Sequence, residues 1–294
     1  MVFPHHPVMP APQLATPHAP IVQSGPLACI LEKLAATSLR LLSRLYTSRE
    51  VHAQDDVCVI IVTRNNASTI RQSVLSVLGQ TYINTSALVV LDRDCDLSTE
   101  TIVKKIKQSH PDRVRLVRSP YPGLYNNKNF SINFVKEKWI TFLDADDIAM
   151  PYRIEKQIKT HKSAGINFIE QVKISATFPF YKRFAAMNSI FLERKSYREL
   201  GGYCNITYGG DTEFVHRLQF YSRIPVKKCK VIGNLCIQRT SSLTRHPEVG
   251  TATQKGRDRR AAFISRYKNI YKMNNTIEKT LELIAAANAE EFNK

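Results

Sequence analysis

Acidic residues are the scarce class in this chain. Across 294 residues there are 25 Asp and Glu against 42 Lys and Arg, a formal net charge of +17. Such an imbalance draws a protein towards polyanions: nucleic acid, anionic lipid or a phosphorylated small substrate. The excess is concentrated late, where thirteen basic residues between Tyr221 and Lys272 face only Glu248 and Asp258. Long apolar runs are also missing. No stretch of eighteen apolar residues occurs, so no transmembrane helix is expected. The N-terminus lacks a basic-then-apolar signal pattern. Neither phosphate loop, GxxxxGK(S/T) or GxGxxG, is present, which disfavours a nucleotide triphosphatase and a dinucleotide-dependent oxidoreductase. The six cysteines form no CxxC pair and have no His partner at zinc spacing, which fits a reducing compartment. Nucleic-acid binding lacks interleaved aromatics, a reading helix or a zinc module. A cytoplasmic protein, with peripheral contact to anionic membrane as an open alternative, is the expectation.

What is present is organised in blocks. Residues 1–28 hold seven prolines and almost no periodicity, which reads as a disordered leader. Residues 29–55 contain an amphipathic helix and linker: Ile30, Leu31, Leu34, Leu41, Leu42 and Leu45 line one face, opposite Lys33, Arg40 and Arg44. That helix either packs on the main domain or lies on anionic membrane. From residue 56 strands and helices alternate. Strands are predicted at Val57 to Val62, Ala87 to Leu91, Val114 to Arg118 and Trp139 to Leu143. Helices are predicted at Ser68 to Gln80, Ser98 to Gln108 and Asn127 to Lys138, and another follows Pro151. This rhythm predicts right-handed βαβ units and a parallel sheet, hence an α/β fold. After about Gly165 the pattern is mixed, with short strands to Ile174 and a helix near Asp211 to Tyr221. Residues 251–294 read as a basic helical extension.

The stretch Trp139-Ile140-Thr141-Phe142-Leu143-Asp144-Ala145-Asp146-Asp147 is the most telling. An apolar strand ends in three carboxylates within four residues. Parallel-sheet proteins bind ligands just past the carboxyl ends of their strands, and like charges this close repel unless a cation lies among them. A divalent metal with oxygen ligands, magnesium or manganese, accounts for the cluster. A solvated acidic turn capping the next helix accounts for it as well.

The order of several pieces resembles the family 2 glycosyltransferases of GT-A fold. These are Val59-Ile60-Ile61-Val62-Thr63-Arg64-Asn65-Asn66, Val89-Val90-Leu91-Asp92, Gly123-Leu124 with Lys128-Asn129, and Asp144-Ala145-Asp146-Asp147 before Pro151-Tyr152-Arg153. Then come Gly201-Gly202-Tyr203, Gly210-Asp211-Thr212-Glu213 with Arg217-Leu218, and Ser242-Leu243-Thr244. The resemblance covers roughly Val57 to Thr244. It implies a GT-A, Rossmann-like, mostly parallel sheet flanked by helices. Residues 56–165 would hold a nucleotide-sugar, and residues 166–250 would form a mixed acceptor-side half. It further implies that Thr63 and Arg64 wall a base pocket, that Asp92 hydrogen-bonds the base, and that Lys128 serves nucleotide or phosphate charge. Asp144 and Asp146 would be the DxD pair, with Asp146 on Mn2+ or Mg2+ and Asp144 on the ribose or the same metal. Asp211 would be the catalytic base, and Asp147 a cap for the helix at Pro151. Arg239, Arg245 and His246, beside Ser242-Leu243-Thr244, would clamp the diphosphate or form a solvated basic loop.

The implied activity is inverting, metal-dependent transfer from a nucleotide-diphosphate sugar, expected to be a UDP-sugar, to a glycan, lipid-linked or protein hydroxyl. Four positions depart from the family pattern. Arg64 stands where an aromatic is common, Leu91 replaces the first Asp of an Asp-Asp pair, Arg93 replaces Gly, and Gly210 replaces an acidic residue before the base. If Arg93 filled the nucleotide pocket, a catalytically silent binding or scaffold module would be the better reading.

Overall fold

The computed structural model describes residues 55–175, 178–206, 208–222, 224–238, 250, 253–273 and 275–292. The Pro-rich leader, the helix at Ile30 to Tyr46, and the loop carrying Arg239, Ser242-Leu243-Thr244, Arg245 and His246 lie outside the described residues.

Four parallel strands form the centre: β1 (Val57–Thr63), β2 (Thr85–Leu91), β3 (Val114–Arg118) and β4 (Trp139–Phe142). The sheet order is β3-β2-β1-β4-β8, with the short β8 (Leu192–Glu193) antiparallel at the edge. Val57 pairs with Thr85 on one side and Trp139 on the other. Strands buried on both faces must be apolar throughout, and the two-residue side-chain alternation divides β1 between two cores. Val57, Val59 and Ile61 pack with Ile70, Val74 and Val77 of α1 (Ile70–Leu78) and Val103 and Ile106 of α2 (Leu97–Ser109). Cys58 and Ile60 face the opposite cluster.

A second sheet has the order β5-β9-β6-β7, formed by β5 (Asp147–Ala149), β6 (Ile166–Ser175), β7 (Phe178–Ala185) and β9 (Val226–Gln238). β5 follows directly from the carboxylate cluster, and β8 returns from the later half into the first sheet. The chain therefore passes from the first sheet to the second and back, with the α4 helix (Arg153–Ala164) joining β5 to β6. Two C-terminal helices, α7 (Gln254–Lys272) and α8 (Ile277–Phe292), complete the described chain. They bury Phe263, Tyr267, Tyr271 and Ile284 in the same core as Phe142, Tyr197 and Phe214.

Two local expectations are corrected. The helix read as Asn127 to Lys138 is α3, Leu124–Ser131, followed by a 3-10 turn at Ile132–Phe134. It starts early because Gly123, at φ 91°, turns the chain into it. It ends early because Arg115 and Arg194 take the carbonyls of Phe134 and Val135 at 2.9 and 2.6 Å, while Ile132 and Val135 dock into the core. Asp147 is not a helix cap. It is a buried residue of β5, paired with Cys236 across the second sheet, and α4 begins after Tyr152 with no side-chain cap.

Candidate active site

Because β1, β2 and β4 run parallel, Thr63, Asp92 and Asp144 emerge along one edge of the sheet. Thr63 is buried at the end of β1, and its hydroxyl accepts from Asn66 at 3.3 Å. Arg64 is exposed beyond it. Asn65 adopts φ 54°, and its side chain accepts from the Asp96 backbone at 2.8 Å, tying the β1 loop to the β2 loop. Asp92 is 2% exposed. Its Oδ2 accepts from the Gly123 N–H and from Asn127, each at 2.8 Å, and its Oδ1 accepts from the Asp94 N–H at 3.0 Å. These three protein donors turn Asp92 inward, to anchor the start of α3. Arg93, next in the chain, points outward: its side chain is 56% exposed and paired with Asp94 at 3.1 Å.

Asp144 and Asp146 are both half-buried just past β4. Asp144 Oδ2 accepts from Asn188 at 2.8 Å, from the 3-10 turn Met187–Ser189. Burial raises the Asp144 carboxyl to about 6, and the nearby charges of Asp211 and Asp146 add to this against the opposing pull of Lys128 and Asn188. Burial, reinforced by Asp144 and Asp146, also holds Asp147 well above the usual carboxylate range. Behind them Arg153 is fully buried, donating to Thr141 Oγ1, the Phe142 carbonyl and Asn234 Oδ1 at 2.7–2.9 Å. Burial lowers its guanidinium to about 10.

The acid cluster is thus crowded with negative charge, and oxygen donors of this kind suit magnesium or manganese. Among the described residues no three His, Cys, Asp or Glu side chains gather as a metal site. Asp144 and Asp146 would supply the protein ligands, with phosphate oxygens completing the shell as is usual for magnesium.

Asp211 reaches the same place from a distant part of the sequence. It lies in the first turn of α6 (Gly210–Tyr221), entered through Gly209 in the left-handed region at φ 78°. Its Oδ1 accepts from Lys128 Nζ at 2.7 Å, and its Oδ2 from the Tyr125 hydroxyl at 3.2 Å. Lys128 is 2% exposed and lies over the rings of Tyr125, Phe142 and Tyr203, its Nζ 4.7–5.4 Å from their centroids. So Lys128, Asp144 and Asp211, read separately in the sequence, form one electrostatic cluster.

The model of the family described as "Glycosyl transferase family 2" matches residues 58–216, more than half of the chain. The chain belongs to glycosyl transferase family 2. An uncharacterised glycosyltransferase of Methanocaldococcus jannaschii is 32% identical over 104 residues, 35% of this chain and 36% of that protein. An Escherichia coli UDP-Glc:alpha-D-GlcNAc-diphosphoundecaprenol beta-1,3-glucosyltransferase is 33% identical over 114 residues, 38% of this chain and 44% of the relative. A second E. coli enzyme of that description is 29% identical over 155 residues, 51% of this chain and 57% of the relative. The chain thus spans from about a third to somewhat over half the length of these relatives. Among solved structures, Staphylococcus aureus TarS 1-349 in complex with UDP-GlcNAc superposes with a TM-score of 0.53. It is 10% identical, covering 64% of this chain and 60% of that one. The fold is therefore GT-A-like.

For this family 2 member, sequence reasoning missed Tyr125, Asn127 and Asn188, and it quoted Asn129 beside Lys128 without giving it a role. Asn129 holds the Gly201-Gly202-Tyr203 turn: its Oδ1 accepts from the Tyr203 N–H at 2.8 Å and from the Tyr197 hydroxyl at 2.6 Å, and its amide donates to the Tyr203 carbonyl at 2.8 Å. Gly202 sits at φ 67°, where a Cβ would lie 2.5 Å from Asn129 Oδ1. Asn127 and Asn129 lie on α3 and Asn188 on the Met187–Ser189 turn; nothing in the sequence named their partners.

Proposed function

We propose that this chain transfers a sugar, with inversion, from a UDP-sugar to a hydroxyl acceptor, using Asp211 as base and Asp144 with Asp146 as holders of a divalent cation. The observation that carries the proposal is the meeting of Asp211 and Lys128 beside Asp144 at the carboxyl end of β4. A base must face the reacting carbon from the side opposite the departing group. Asp211 is the carboxylate of the cluster that comes from the later half of the chain, away from the strand ends. The acceptor oxygen forms a bond to the anomeric carbon as the bond from that carbon to the diphosphate oxygen breaks. The hydroxyl proton passes to Asp211. A bound Mn2+ or Mg2+ would neutralise charge on the departing nucleoside diphosphate.

In this proposal Thr63 and Arg64 border the base, and Asp92 shapes the pocket through the Gly123 loop it holds. The outward course of Arg93 leaves the strand ends free of its side chain, which supports an enzyme over a silent scaffold. UDP-glucose is the first donor to try, because the two E. coli relatives carry it in their descriptions, and those relatives also suggest a lipid-linked acceptor.

The test is release of nucleoside diphosphate by purified protein with manganese and a panel of UDP-, GDP- and dTDP-sugars. Asp211→Asn should reduce turnover by at least about a thousandfold while UDP still stabilises the protein thermally. Asp146→Ala should lose both turnover and the UDP-plus-manganese stabilisation. Equal loss of UDP binding in Asp211→Asn would count against its role as base, and no UDP shift in the wild type at millimolar concentration would count against an enzyme.

A further inference from the structure

Both groups that hold Asp211 come from one helix, and a glycine makes room for one of them. The Tyr125 hydroxyl donates to Asp211 Oδ2 at 3.2 Å and accepts from the Asp211 backbone N–H at 3.4 Å. It thus bridges the carboxylate and a free donor in the first turn of α6, where backbone N–H groups lack helical partners. The ring is buried and lies against Gly210. A Cβ added at Gly210 would come within 2.6 Å of Tyr125 Cζ and 2.8 Å of both Cε atoms. Gly210 is absent from the positive-φ glycines, so its backbone does not call for glycine. The ring does.

Lys128 is committed to the other oxygen. Its buried ammonium, enclosed by three aromatic rings, ion-pairs with Asp211 Oδ1 at 2.7 Å, and a buried cation deprived of its counter-charge is strongly disfavoured. Oδ2 accepts from the neutral Tyr125 phenol, the buried Tyr203 hydroxyl also interacts with the carboxylate, and Oδ2 keeps a lone pair for a second hydrogen bond.

We infer that Tyr125 is a positioning residue for transfer, fixing Asp211 Oδ2 as the oxygen that receives the acceptor proton, and that Gly210 is glycine to admit the Tyr125 ring. This rests on Asp211 acting as base. The Gly210 departure from the acidic residue seen in the family is then one half of a pair, with Tyr125 the other half. As the acceptor O–H breaks, its oxygen bonds to the anomeric carbon, the diphosphate leaves, and the proton lodges on Oδ2 while the phenol stays on that same oxygen.

The experiment measures kcat and donor KM by nucleoside diphosphate release, using the sugar nucleotide of the panel that wild type turns over fastest, together with UDP-plus-manganese thermal shifts. Tyr125→Phe removes one oxygen and keeps the ring, so it should lower kcat ten- to a hundredfold and leave donor KM and the UDP shift within twofold. Gly210→Ala should lower kcat by a similar factor, because the methyl displaces the phenol. In a Tyr125→Ala background, adding Gly210→Ala should cost nothing more, a non-additivity diagnostic of direct contact. Wild-type kcat in Tyr125→Phe, or independent losses at 125 and 210, would overturn the inference. Asp211→Asn separates the two levels. If it is inactive while Tyr125→Phe is fully active, the base stands and the positioning role falls. If Asp211→Asn retains turnover, or wild type turns over no donor, both fall together.

Discussion

Single carboxylates on this molecule behave according to their donors, and Asp92 and Asp144 are opposites. Asp92 receives three hydrogen bonds and serves as a structural anchor. Asp144 receives a hydrogen bond from Asn188 and sits among like charges. Its folded-state pKa of about 6 lies above the unfolded aspartate value of about 3.9. In the cation-free protein the fold therefore favours the protonated acid, and this contribution to stability is present below about pH 4 and is lost as pH rises towards 6. Cation binding demands the ionised form and has the opposite sign. The thermal shift given by manganese with UDP should accordingly shrink as pH is lowered through about 6, and Asp144→Asn should remove most of the shift at every pH. A shift that stays constant between pH 7 and pH 5 in the wild type would show that Asp144 does not hold the ion. The sequence made Asp144 and Asp92 look alike, each a carboxylate just past an apolar strand. Only the partners, distant in sequence, tell them apart.

At the scale of elements, α3 and α6 build the site between them. Tyr125, Asn127, Lys128 and Asn129 follow one another on α3 and reach Asp211, Asp92 and the Tyr203 turn. The strands were legible in the sequence because a buried parallel strand must be apolar from end to end. The α3 boundaries were less so, because arginines from β3 and α5 (Arg194–Glu199) end that helix from outside. The echo Glu213 and Arg217 was legible as family pattern, and the structure gives it a structural role. Both side chains are fully buried and paired at 2.7 Å, and Arg217 also donates to the Leu200 and Gly202 carbonyls. Tyr271 of α7 donates to Glu213 at 2.9 Å. Breaking one half of such a pair strands a buried charge, which costs about 3–5 kcal/mol. Arg217→Met and Glu213→Leu should each lower unfolding free energy by about that amount in urea titration, and the double variant should cost less than the two single losses combined. Strict additivity would mean that the pair is not coupled.

The whole molecule is more unified than its sequence suggests. The chain reads as a nucleotide-binding half, an acceptor half and a basic tail, because the βαβ rhythm fades after Gly165 and the tail is rich in Lys and Arg. Yet the chain passes back and forth between the two sheets, and the tail helices place aromatics into the central cluster: a Cβ added at Gly209 would meet the Phe263 ring at 3.7 Å, and Tyr267 bonds His216 of α6 at 2.6 Å. The basic residues that dominate α7 mask a stripe of one aromatic every four residues, Phe263, Tyr267 and Tyr271, at the spacing that keeps side chains on one helix face. That stripe was visible in the sequence, but its destination, the helix carrying Asp211, was not. A tail folding by itself would leave the rest of the protein indifferent to a cavity at Phe263. A tail that is part of the core would transmit it. Phe263→Ala should then remove about 3–5 kcal/mol, the usual cost of truncating a buried phenylalanine, from one unfolding transition seen alike by circular dichroism and by Trp139 fluorescence. Because Phe263 supports Gly209 at the entrance to α6, turnover should fall in the same variant. Two separate transitions, with only the first displaced and turnover intact, would make the C-terminal helices an appendage after all.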